Sequence, residues 1–300
     1  MPALLHRVCP LCGQDDAAPF MQKHQLALVR CRDCAMTYAT PVAGELAGPL
    51  YQQLGTPFYL SPEKLESDYA SVRFARELRL FSRFCQAGDV LDVGCSTGAF
   101  LFQLRSRGDY RVVGTDISAP ALAYARSRGI EVVAGSFLEH EFGARRFDAV
   151  TFWAVLEHVL TPRDFLRRAL GLLRPGGHVF LLVPNLRSLA VRLLGRKYRY
   201  ILPQHVNYFT SATLARFAPI EGLRVVVRGT MHFNPAVIWQ DARGRGGFVA
   251  DDERATLLRR TTALKQNPFL QPARFLYRLT EQALGSLGLA DNLFMVLRKT

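Results

Sequence analysis

Residues 89–101, Asp-Val-Leu-Asp-Val-Gly-Cys-Ser-Thr-Gly-Ala-Phe-Leu, restrict the possible folds of this chain more than any other stretch. Val90, Leu91 and Val93 make a short apolar run that suits a strand buried on both faces. Gly94 interrupts the run, Ser96 or Thr97 offers a cap, and a helical pattern over 96–107 follows. Gly94 and Gly98 let backbone approach a ligand closely, and the first N–H groups of the helix face whatever sits there. Dinucleotide enzymes use the same turn, so it names no ligand alone. Asp92 stands two residues before the first glycine, and Ser96 occupies the place of the middle glycine of the dinucleotide pattern. A second apolar run, 111–117, carries Asp116 near its end, a carboxylate suited to gripping two ribose hydroxyls.

Five segments follow in order: VLDVGCSTG (90–98), VVGTDIS (112–118), AGSF (134–137), FDAVTFWAVLEHV (147–159) and LRPGGHVFLLVPN (173–185). With these the chain resembles the class I S-adenosylmethionine (SAM)-dependent methyltransferases. The resemblance implies an α/β fold with a doubly wound, mostly parallel seven-stranded sheet of Rossmann-like type. It also implies SAM as cofactor. Gly94, Cys95 and Gly98 would line the methionine moiety, with Asp92 near its ammonium. Asp116 would hold the ribose, Ile117 would pack on adenine, Ser136 and Phe137 would border the adenine edge, and Trp153 would close the pocket floor. The alternation of strands at 89–94, 111–117, 131–135, 147–153 and 178–184 with helices at 96–107, 119–128 and 162–173 has the rhythm of such a sheet. Thr161, Pro162 and Asp164 start the last of these helices, and Arg174-Pro175-Gly176-Gly177 ends it.

Cys9-Pro-Leu-Cys12 and Cys31-Arg-Asp-Cys34 form two Cys-x-x-Cys pairs, each followed by a small residue. Two such knuckles aim four thiolates at one point, the ligand set of a zinc ribbon. Leu26, Leu28 and Val29 suit a β-ribbon between them. A metal staples a segment too short for a core of its own, so the expected zinc is structural. The chain divides on this reading into a zinc ribbon (1–45), a linker with pre-core helices (46–88) and a methyltransferase core (89–300). The core carries insertions near 186–206 and 234–288. Tyr51, Phe58 and Tyr59 fall in the loop-rich connection. Residues 63–84 read as helical; the resemblance implies that such pre-core helices cover the cofactor, which would bring Tyr59, Tyr69 and Arg73 to it.

The 38 basic residues exceed the 25 acidic ones, giving +13, which favours anionic partners. Asn185 to Gln204 concentrates this charge in Arg187, Arg192, Arg196, Lys197 and Arg199, with no acidic residue and a short amphipathic helix around Leu189–Arg196. No apolar run reaches the ~18 residues of a spanning helix, and the N-terminus lacks a signal-peptide pattern, so a cytoplasmic location is expected.

Methyl transfer from a sulfonium needs the acceptor held in line and, for a hydroxyl or carbon acid, deprotonated. His158, His205 and Tyr208 are the candidate catalytic groups, with His205 and Tyr208 placed on one helical face. Some ubiquinone-type O-methyltransferases hold a metal at Glu-x-x-Glu-His in this region. Here Ala154 replaces the first carboxylate before Glu157-His158, which argues against a magnesium site. The leading expectation is a small-molecule methyltransferase with an anionic sugar, nucleotide-sugar or glycan acceptor. An RNA methyltransferase using the ribbon and basic surface is the alternative, and a SAM-binding regulatory or scaffold protein the second.

Overall fold

A computed structural model of the chain describes residues 4–43, 57–216, 222–244 and 246–300. Tyr51 and most of the 46–88 linker's first part lie outside them. The N-terminal strands are β1 (Leu4–Leu5), β2 (Ala17–Lys23), β3 (Leu26–Cys31), β4 (Thr37–Ala39) and β5 (Val42–Ala43). Helices α1 (Pro62–Tyr69) and α2 (Ala75–Ser82) precede the core. The core runs β6 (Gly88–Val93), α3 (Ala99–Arg105), β7 (Tyr110–Asp116), α4 (Ala119–Ser127), β8 (Glu131–Ala134), β9 (Phe147–Trp153), α5 (Pro162–Leu172) and β10 (Leu173–Pro184). Then come α6 (Leu189–Leu194), β11 (Asn207–Tyr208), α7 (Ser211–Ala215) and β12 (Leu223–Met231). Three cap helices, α8 (Pro235–Arg243), α9 (Asp251–Gln266) and α10 (Gln271–Ser286), lead into β13 (Asn292–Lys299).

The main sheet has seven strands in the order β12-β13-β10-β9-β6-β7-β8. The pairings β10–β9, β9–β6, β6–β7 and β7–β8 are parallel, and β13 is antiparallel to both its neighbours. The order reverses between β6 and β9, so the strand ends diverge there and open a crevice at their C-terminal edge. Val90, Leu91 and Val93 are buried on both faces by aromatic and aliphatic layers, as their unbroken apolar run requires.

Several boundaries differ from the sequence reading for identifiable reasons. The helix expected over 96–107 begins at Ala99, and neither Ser96 nor Thr97 caps it: Gly98, with φ +76°, is the N-cap. A Cβ on Gly98 would lie 3.0 Å from the Ala125 Cβ of α4, so the position needs glycine for packing as well as for φ. The single helical stretch over 63–84 is two helices. Gln103 of α3 donates to the carbonyls of Asp68 and Ala70, satisfying the end of α1 from the core side and stopping it there. Thr161 is the N-cap of α5 by backbone only, without a side-chain cap bond. Arg174-Pro175-Gly176-Gly177 lies inside β10 as an irregularity between Leu173 and His178. His205 and Tyr208 do not share a helical face, because Asn207–Tyr208 is a strand.

That strand changes the architecture. β11 pairs with β4, so the N-terminal sheet has four strands in the order β11-β4-β3-β2, and residues beyond β10 complete it. Arg7 locks the junction. Its buried guanidinium donates from Nη1 to the carbonyls of Val206 (2.8 Å) and Ala39 (3.2 Å), and from Nη2 to Leu160 O (3.0 Å) and Asn207 Oδ1 (2.9 Å). Burial lowers its pKa to about 10, which still leaves it charged at neutral pH. Removing a buried charge partner of this kind strands several acceptors, at about 3–5 kcal/mol. Arg7→Met is therefore expected to lower unfolding free energy by about that amount in urea titrations. An unchanged midpoint would show that the clamp holds nothing.

Candidate active site

The crevice opens into a cleft of about 940 Å³, at the upper end for small-molecule sites and roomy enough for a nucleoside cofactor with a second molecule. Its floor is the C-terminal edge of β6, β7 and β9; α1, α2, α9 and α10 form its walls.

Asp92, Gly94, Cys95, Asp116, Ile117, Ser136, Phe137 and Trp153 all line this cleft. Asp116 is anchored before any ligand arrives: Oδ2 accepts from the Ser96 N–H and Oδ1 from the Ser118 N–H, both at 2.8 Å. The glycine turn and the tip of β7 are thus one unit, with Ser96 itself at φ +50°. Gly94, at φ +72°, cannot be otherwise, since a Cβ there would lie 2.6 Å from Val155 Cγ2. Asp92 is buried and accepts from Thr151 Oγ1 at 2.6 Å. Burial, with the neighbouring charge of Asp116, pushes its pKa up to about 7. Trp153 packs against Phe100, ring centroids 5.2 Å apart, and its buried Nε1 has no hydrogen-bond partner among the described residues. Phe137 reaches the cleft, but its ring packs among Phe142, Phe152 and Phe165. Gly98 stands behind the turn, packing α3 on α4 rather than facing the cleft.

On the acceptor side the structure brings His158 and His205 together, with ring centroids 4.7 Å apart. His158 follows the turn after β9, where Ala154 adopts φ +60° and its N–H bonds Leu182 O. His205 arrives from the insertion, and its loop is stitched to the first: Val206 N–H and Asn207 N–H both donate to Glu157 O, and Asn207 Nδ2 donates to the carbonyls of Leu156 and Val159. Burial holds the pKa of His158 down at about 4 and that of His205 well below its usual value, while it raises Glu157 to about 8. The Tyr208 ring lies edge-on to that of His205, centroids 6.3 Å apart, but Tyr208 does not line the cleft. It is buried beside the ribbon sheet, its hydroxyl donating to Leu202 O at 3.1 Å.

The four thiols come together as the spacing predicts. Cys9 and Cys34 sulfurs lie 3.3 Å apart and Cys12 and Cys31 sulfurs 3.5 Å, near the ~3.8 Å that tetrahedral Zn–S bonds of about 2.3 Å would give. Gly13 and Ala35, the small residues after each pair, take positive φ in the knuckle turns.

The basic insertion is placed differently from expectation. Arg187, Arg192, Arg196 and Lys197 are exposed outside the cleft, and Arg199 is held by buried Asp241 at 2.6 Å. The cleft's cations come instead from α2, α9 and α10. Arg73 pairs with Asp68, Arg76 with Glu281 and Arg254 with Asp251. Arg79, Lys265, Arg274 and Arg278 line the cleft with no acidic partner among the described residues. Sequence reasoning passed over them; the spacing of Arg274 and Arg278, four apart on one helix, was the available signal.

With this geometry in hand, residues 67–227, more than half of the chain, match the family described as "Methyltransferase domain". The chain belongs to that family. It carries a SAM-dependent methyltransferase domain. The ubiquinone biosynthesis O-methyltransferase of Cupriavidus pinatubonensis is 32% identical over 162 residues, covering 49% of this chain and 64% of the relative. The protein of that name from Cronobacter sakazakii is 36% identical over 168 residues, covering 49% and 65%. The chain therefore spans just under two thirds of the length of these relatives. A SAM-dependent methyltransferase from Archaeoglobus fulgidus superimposes with a TM-score of 0.53 at 18% identity, over 83% of this chain and all of that one. A possible histamine N-methyltransferase from Thermotoga maritima does so with 0.53 at 15%, over 82% and 100%. At those identities the two structures show the fold alone. No helix among the described residues is long and apolar enough to cross a membrane.

Two outcomes follow for the cofactor end. Asp116→Ala removes two charge-assisted contacts and the tie to Ser96, and should weaken SAM binding by about thirtyfold or more in calorimetry. The resemblance places Asp92 near the cofactor's ammonium, a partner that protonation of Asp92 would remove. Its folded pKa is raised, so the charged form is lost as pH falls through about 7. SAM affinity should therefore drop somewhat under about tenfold between about pH 7.5 and about pH 6, and Asp92→Asn should flatten that profile.

Proposed function

We propose that this protein transfers the SAM methyl group to a small anionic acceptor, a sugar, nucleotide-sugar or glycan intermediate being the class that fits best. One observation carries the reading: four cations that form no ion pair among the described residues, Arg79, Lys265, Arg274 and Arg278, line the same cleft as the cofactor residues. Burial lowers the Lys265 pKa, the nearby Arg73 charge adds to the effect, and Glu281 and Glu77 oppose it. Arg79, Lys265 and Arg278 are exposed and Arg274 is half-buried, so the charge stands at the mouth of a cleft sized for small molecules. The O-methyltransferase relatives support a hydroxyl as the accepting group.

In this reading Gly94, Cys95, Asp116, Ile117 and Ser136 seat the cofactor. Asp92 faces its ammonium and Trp153 closes the floor. His158 and His205 form the acceptor end, where they contact the attacking oxygen; Tyr208 has no part in it. Displacement at the methyl carbon needs nucleophile, carbon and sulfur in line, and the walls from α9 and α10 exclude water while that alignment holds. Cys9, Cys12, Cys31 and Cys34 hold a structural zinc.

Two measurements test this. Labelled SAM incubated with the small-molecule fraction of source cells should label a compound retained on an anion exchanger. Arg274→Ala with Arg278→Ala should slow that labelling at least about tenfold while SAM affinity stays constant. Label in RNA, or in a neutral product only, refutes the acceptor class. Separately, Cys12→Ser should lose one zinc per chain by metal analysis and lower the melting temperature; full zinc retention contradicts the four-thiolate site.

A further inference from the structure

We propose that Glu77 and Asp291 form a hydroxyl-binding subsite at the β12–β13 end of the cleft, where each presents an unpaired carboxylate oxygen to a hydroxyl of a polyhydroxylated acceptor. Both residues line the cleft, Glu77 from α2 and Asp291 from the position just before β13. Glu77 is 2% exposed and Asp291 7%, and neither Glu77 Oε2 nor Asp291 Oδ1 has a hydrogen-bond partner among the described residues. Buried polar atoms are paired in folded proteins unless something else occupies the place. A carboxylate oxygen only accepts, so what it lacks is a donor.

The two carboxylates meet at one residue. Glu77 Oε1 bonds His232 Nε2 at 2.9 Å, and the His232 carbonyl accepts the Asp291 N–H at 2.8 Å. Asp291 Oδ2 in turn accepts the Asn234 N–H at 2.9 Å. One oxygen of each carboxylate is thus tied down and the other is left over. The tie orients each group before any ligand arrives, as a preorganised polar contact requires.

The surrounding charge decides which donor fits. Glu77 faces Arg73, Lys265 and His232, and Asp291 faces His232 and Glu281, which is itself paired with Arg76. Cations already stand among these acids, so an incoming ammonium would meet like charge. A hydroxyl brings no charge. It donates to a carboxylate and accepts from a neighbouring lysine or guanidinium N–H, which suits acids and cations set side by side. Burial raises the Asp291 pKa to about 6, so at neutral pH it is mainly the accepting carboxylate. An analogue without the hydroxyls would leave both oxygens buried and unpaired, which is how such a site selects. The inference rests on the small-molecule acceptor reading above and narrows it to compounds that keep at least two hydroxyls besides the methylated group.

The product labelled from SAM in the small-molecule fraction of source cells tests it. Treated with acetic anhydride and followed by mass spectrometry, that product should gain at least two acetyl groups that mild base removes again, as it does from esters and not from amides. Glu77→Gln and Asp291→Asn keep the shape but replace a carboxylate oxygen with an N–H donor. Each should raise the acceptor KM at least about tenfold, with kcat changed less and SAM affinity as in the parent. A lowered melting temperature with the acceptor KM unchanged in both variants would make the pair structural and overturn the inference. A labelled product that gains fewer than two such acetyl groups overturns it as well, and its retention on an anion exchanger would leave the anionic-acceptor reading standing. A polyhydroxylated but neutral product whose KM rises in both variants sustains the subsite and sinks that reading instead.

Discussion

The Arg7 guanidinium is the contact on which the acceptor half of the molecule depends. It reaches Leu160, two residues past His158, and Val206, one residue past His205, while holding Ala39 of the ribbon sheet. Two loops distant in sequence meet over one cation from a third segment. The Glu157 carbonyl takes two N–H groups from the incoming loop and Asn207 returns two more bonds, so the two loops are joined by four hydrogen bonds. A short Cys-rich segment has too little apolar area to stand alone. Here it gains a fourth strand from β11, and in exchange it fixes the geometry of the cleft's far wall.

The donor half is tied to the same junction through a missing side chain. Val155, at the start of the turn that bears Glu157 and His158, occupies the space a Cβ on Gly94 would need. The glycine turn therefore serves two neighbours. It lets ligand approach on one side and lets the acceptor loop approach on the other. Asp116, through the Ser96 N–H, is part of the same unit, so its carboxylate and the loop of Glu157 and His158 meet at one glycine turn.

The fold was legible in the sequence because its signals are local. The apolar runs of β6, β7, β9 and β10 and the two cysteine pairs need only near neighbours to be read. What escaped is what forms across distance. Nothing near Asn207-Tyr208 announces a partner strand at 37–39, and the three-residue spacing to His205 favoured a helix. The helix over 63–84 broke because Gln103, far along the chain, satisfies its carbonyls. The charge of the 186–206 insertion was conspicuous yet faces outward, whereas Arg274 and Arg278 sat unremarked in a segment read only as helical. Composition shows that cations exist; only packing shows which of them lack a counter-charge.

The placement of those cations has a consequence for rate as well as for binding. An oxyanion attacking a sulfonium annihilates two opposite charges, so the transition state carries less charge separation than the reactants. Such a reaction is favoured in a medium of low polarity, provided that the reactants can be brought there at all. Bringing an anion out of water is the costly step. Lys265, Arg274 and Arg278 stand on α9 and α10, at the walls, while Glu157 and His205 are buried and His158 is half-buried. For the anionic acceptor proposed above, charge at the rim would compensate its fixed anionic group and leave the displacement to the less polar sheet edge, so that the cap would bind and the sheet edge would hold the reacting atoms.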